Sequence, residues 1–126
     1  MINIQKQITY WREGSHEDFQ VASELVELER TRHGLFFAHL ALEKLLKAHI
    51  CNKTNDLAPK IHNLIRLSQL TQLSYSSEQQ NFLARFDRYQ IEGRYPEQLP
   101  VPLNVFEAKQ ELKEAKRLLI WLNQKF

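Results

Sequence analysis

Residues 35–53 read Leu-Phe-Phe-Ala-His-Leu-Ala-Leu-Glu-Lys-Leu-Leu-Lys-Ala-His-Ile-Cys-Asn-Lys. Leu35, Ala38, Leu42, Leu45 and His49 recur at three- and four-residue steps, and Ala38, Ala41, Leu45 and Ala48 add a neighbouring row of small side chains. That spacing predicts an amphipathic helix. Apolar positions on so much of its circumference place it at the centre of a bundle or at a subunit interface. Glu43 and Lys47 stand four apart in the order that favours an ion pair along a helix.

Reading outward, a first helix is expected over about residues 3–29, with Ile8, Trp11, Ser15, Phe19, Ala22 and Val26 on one stripe. Gly14 interrupts the stripe, and Ser15 with Asp18 offers a fresh N-cap, so one helix bent at Gly14 is the favoured reading and two helices the alternative. Gly34 is read as the tight turn between the first two helices. Beyond the loop 53–60, a third helix is expected over Ile61–Thr71. A fourth over Glu78–Ile91 would be capped by Ser77 with Gln80 and closed by Gly93, and a last over Val105–Gln124 would be capped by Asn104 with Glu107.

Composition excludes the alternatives. The chain has 126 residues, 19 of them leucine, with three glycines and four prolines. A β-sandwich or barrel needs turn residues every 8–12 positions, whereas residues 15–51 hold one glycine and no proline. The expectation is a single all-α domain over 1–126, an up-and-down bundle of four to five helices. The net charge of +2 is too balanced for a general nucleic-acid binder. A lone cysteine, Cys51, forms no internal disulfide and suggests a reducing, cytoplasmic setting. No apolar run approaches the length of a membrane span.

Several chemistries are also excluded. None of the five histidines has another histidine four residues away, and no cysteine pair exists. Glu-x-x-His is not repeated on two helices, as a two-metal bundle site requires. No metal site and no metal cofactor are therefore expected. Three scattered glycines make no phosphate loop.

What remains is a series in order: Phe37-Ala38-His39 leading into Glu43-Lys44 and Lys47-Ala48, then His62-Asn63-Leu64, then Arg94-Tyr95, preceded by Trp11, Asp18, Phe19 and Ala22. This series resembles the HEPN domain (higher eukaryotes and prokaryotes nucleotide-binding), with Ser15 where the family pattern has alanine. The resemblance covers about residues 8–122. It implies a small helical bundle, often a homodimer, and many bacterial members act beside a small nucleotidyltransferase in a toxin–antitoxin-like pair. Catalytic members are metal-independent ribonucleases carrying Arg-x(4–6)-His, in which histidine exchanges protons and arginine stabilises charge on the phosphate. Other members lack the motif and bind a nucleotide or the transferase.

One match exists here, Arg32-x6-His39. A seven-residue step along a helix spans about 10 Å of rise, so the two would share a face without touching. The motif lies late in active members, and no histidine follows His62. The reading is therefore a non-catalytic module binding a nucleotide or RNA, or a protein partner. The alternative is a ribonuclease toxin using Arg32 and His39. Lys44, Lys47, His62, Arg94 and Tyr95 are the expected ligand contacts, with arginine supplying charge and tyrosine a stacking face. A satisfied histidine at the start of the third helix and salt-bridged lysines are the competing structural roles.

Overall fold

In a computed structural model of the chain, which describes residues 2–90 and 101–126, the helix read above is the axis of the molecule. The described helices are α1 (Ile4–Glu27), α2 (Thr31–Thr54), α3 (Leu64–Thr71), α4 (Ser77–Phe86) and α5 (Val105–Asn123). No strand occurs among the described residues. α2 packs on α1, α3 and α5, which together bury fifteen of its twenty-four residues. Its apolar circumference is thus covered within the chain. Leu35, Leu42, Leu45 and Leu46 meet Val26, Leu64, Leu67 and Leu122 in one core, and each such side chain removed from water contributes about 1.5–3 kcal/mol.

α1 is one continuous helix, begun by Asn3, whose side chain accepts from the Lys6 N–H. Ser15 starts no second helix. It is buried and donates its hydroxyl to the Ala41 carbonyl at 2.7 Å, a polar stitch between α1 and α2. Gly14 allows the Lys44 stem to lie against α1, since a Cβ there would sit 3.1 Å from Lys44 Cδ.

Gly34 makes no turn. The reversal falls at residues 28–30, where Glu29 takes the left-handed conformation (φ 65°), and α2 begins four residues before the expected start. Gly34 lies inside α2 at its closest approach to α1. A Cβ there would stand 2.6 Å from Val26 Cγ2 and 3.0 Å from the Ala22 carbonyl oxygen. The missing side chain serves packing rather than backbone freedom.

Three smaller corrections follow the same logic. α3 starts at Leu64 because Asn63 is its N-cap, accepting from the Arg66 N–H. The capping box of α4 is Ser76 with Gln79, one residue earlier than expected. α4 ends at Phe86, with Asp87 as its C-cap, donating its N–H to the Leu83 carbonyl, while Tyr89 stays buried beyond it. The Asn104–Glu107 capping box of α5 is as expected. The expected end of the fourth helix at Ile91 and its cap at Gly93 lie outside the described residues.

Polar side chains close the remaining seams. Thr31 donates to the Leu103 carbonyl, and Arg85 bridges α4 to Glu111 and Glu114 of α5. His49 meets the Leu122 carbonyl at 2.7 Å while its ring stacks on Phe126. Desolvation, opposed by that bond and aided by the Arg12 charge, holds the His49 pKa below its ordinary value of 6.5. No described helix is long and apolar enough to cross a membrane.

Candidate functional site

The α2 helix carries a carboxylate into the interior. The Glu43 side chain is only 6% exposed, and it sits between two imidazoles and a lysine. Lys47, one turn on, approaches Glu43 Oε2 at 3.2 Å and is itself buried, its ammonium 5.4 Å from the centre of the Trp11 ring. His62, from the segment leading into α3, places Nδ1 2.9 Å from the same oxygen. His39, one turn before Glu43, faces Oε1 with Nδ1 at 3.6 Å. That distance is too long for a hydrogen bond.

The other nitrogen of His39 is fully engaged. Nε2 lies 2.9 Å from Asp87 Oδ1, and a carboxylate only accepts, so the ring donates. Asp87 also takes the Leu64 N–H at the start of α3 (3.2 Å) and the Asn63 side-chain amide (2.8 Å). One carboxylate therefore joins α2, the N-terminus of α3 and the end of α4. Three donors converge on it. A negative charge at the first turn of α3 also complements the helix dipole.

The residues expected from sequence are sorted by this geometry. His39 is 0% exposed, sealed between two carboxylates. Arg32 lies two turns earlier on α2, half-buried, and no ion pair or hydrogen bond brings it to His39. Lys47 is spent on Glu43, and Lys44 pairs with Asp18 of α1 at 2.8 Å. His62 alone of this group keeps an open ring, with a side chain 46% exposed. Arg94 and Tyr95 lie outside the described residues.

Sequence reasoning singled out neither Asp87 nor the central role of Glu43. For Glu43 a signal existed: an acidic residue on a helix that is apolar nearly all round must be paired when it is buried. For Asp87 none existed, because its partners lie 23, 24 and 48 residues away.

Other reactive groups have structural roles. Cys51 is buried, and burial pushes its thiol pKa up, the opposite of an activated nucleophile. A groove of about 670 Å³ runs between α1 and α5 past Phe19, Gln20, Lys116 and Ile120, and holds none of the expected site residues. Among the described residues no three His, Cys, Asp or Glu side chains are grouped to hold a metal ion.

The comparisons with known proteins agree with this architecture. The family model described as the HEPN domain matches residues 8–125. No curated protein matches the chain. The crystal structure of TT1696 from Thermus thermophilus superposes with a TM-score of 0.81 over 95% of this chain and 98% of that one. At 22% identity it is a likeness of fold. A family match over nearly the whole length, on a bundle of this topology, establishes that the chain belongs to the HEPN domain family.

Proposed function

We propose that this HEPN domain is a non-catalytic binding module, a single cytoplasmic domain that pairs with a second copy. It recognises a nucleotide or a small nucleotidyltransferase in a toxin–antitoxin-like pair. The observation that carries the non-catalytic part is the burial of His39. A general base must reach the proton it abstracts, directly or through one water. His39 has no exposed surface, and Nε2 is bonded to Asp87. Opening the ring to RNA would break its bond to Asp87 and part the packed helices around it, at a cost of about 1–3 kcal/mol for the hydrogen bond alone. The pairing with a transferase draws on family membership, and a second copy would use surface other than the covered core face of α2.

Purified protein incubated with total RNA in EDTA tests the reading. RNA is expected to remain intact. Cleavage that disappears with Arg32→Ala would overturn it, and because no hydrogen bond or ion pair among the described residues holds Arg32, that variant keeps its fold. Co-expression with a nucleotidyltransferase encoded beside the gene, followed by co-purification, tests the partner. Separate elution of the two proteins would sink that part.

A further inference from the structure

The open side of Glu43 has chemistry that its buried side lacks. His62 is held by a hydrogen bond from Nδ1 to Glu43 at 2.9 Å, which fixes the ring and leaves Nε2 as the nitrogen with no partner among the described residues. Lys47 at 3.2 Å already balances the Glu43 charge, so the carboxylate orients His62 without making the site anionic. The surrounding sequence is one-signed. From Leu57 to Ser77 the chain has no aspartate or glutamate, while Lys60, His62 and Arg66 are all exposed. Lys60 and His62 are alternate residues in the non-helical approach to α3, both outward, with Ile61 between them packed on the core. Arg66 follows in the first turn of α3. No ion pair engages Lys60 or Arg66 among the described residues.

We infer that Lys60, Arg66 and the Nε2 edge of the His62 ring form a phosphate subsite, with Glu43 holding the orientation of the ring. Lysine and arginine donors make charge-assisted hydrogen bonds of about 2.7–2.9 Å to phosphate oxygens. A ring fixed before binding loses less rotational freedom than a free surface histidine. The α3 N-terminus is not part of the subsite, because Asp87 already occupies it. The ligand class is a phosphate ester, supplied by a free nucleotide or by the backbone of single-stranded RNA. The inference rests on the binding-module reading above and names the surface that reading would use.

The test titrates full-length protein with inorganic phosphate, ATP and a short single-stranded RNA, following the His62 ring and nearby amides by NMR. Saturable shifts centred on His62 are expected. Lys60→Ala with Arg66→Ala, and separately His62→Gln, should each weaken binding about tenfold with unchanged melting temperature, since all three side chains are exposed. Tighter binding of ATP than RNA identifies the nucleotide as the source, and the reverse identifies RNA. Equal affinity of wild type and variants, or no saturable binding of any of the three probes, overturns the subsite. Equal affinity would leave the binding-module reading standing. RNA cleavage in the assay above would remove that reading whatever the affinities here.

Discussion

Glu43 has two imidazole neighbours, and they differ in almost everything else. On the inner side, His39 has no exposed surface and its Nε2 is bonded to Asp87, which in turn fastens the start of α3. On the outer side, His62 is nearly half exposed and is bonded through Nδ1 to Glu43, with its other nitrogen facing out. The same side-chain type, beside the same carboxylate, is a structural joint in one place and an open ring in the other. The residue type alone does not decide the role, and neither does the number of bonded ring nitrogens, which is one in each; burial of the second nitrogen does.

The largest effect should come from removing the shared carboxylate. Glu43→Gln leaves the buried Lys47 ammonium without its counter-charge, and breaking a buried pair in this way costs about 3–5 kcal/mol. Chemical denaturation at neutral pH should show that loss. A loss below ~1 kcal/mol would mean that Lys47 reaches water and that the inner and outer sides are alike.

Asp87→Ala sharpens the inner side. It strips an acceptor from the His39 ring, the Asn63 amide and the Leu64 N–H, at a cost of about 2–3 kcal/mol. For a chain of this length that is a fall in melting temperature of roughly 10 °C. Protection of the α3 amides from hydrogen exchange should fall furthest.

His49 provides a buried control whose ring faces a carbonyl instead of carboxylates. Its folded pKa is lowered, mainly by desolvation, so the unfolded chain binds the extra proton first. The stabilisation is complete above the ordinary value of 6.5 and is lost as pH falls from there through the lowered folded value. Stability measured from pH 7.5 to 5 should decline on the acid side, and His49→Gln should flatten that decline. An unchanged slope would assign it to other groups.

The smallest effect is expected on the outer side. His62→Gln should change stability by less than about 1 kcal/mol, as for partly exposed ion pairs, while weakening phosphate binding. A large destabilisation would make His62 a joint like His39.

The bundle was legible in the sequence because the helices are amphipathic stripes, and stripes depend on neighbours three and four residues away. The Asn104–Glu107 cap is equally local. Gly34 was misread because a glycine between two helical patterns looks the same whether the chain turns there or another helix passes close. Only the position of Val26 in space separates the two. The candidate site was legible in its parts and not in its arrangement. His39, Lys47 and His62 stood out by type, yet their sorting into buried and open depends on Asp87, which comes from the far end of α4.

The most direct test of that sorting is reaction of the folded protein with diethyl pyrocarbonate, mapped peptide by peptide. The two-sided account predicts rapid modification of His62, with His39 protected until the protein unfolds and becoming reactive in Asp87→Ala. Modification of His39 in the wild type at a rate comparable to His62 would contradict it, and would reopen the catalytic reading of Arg32 and His39.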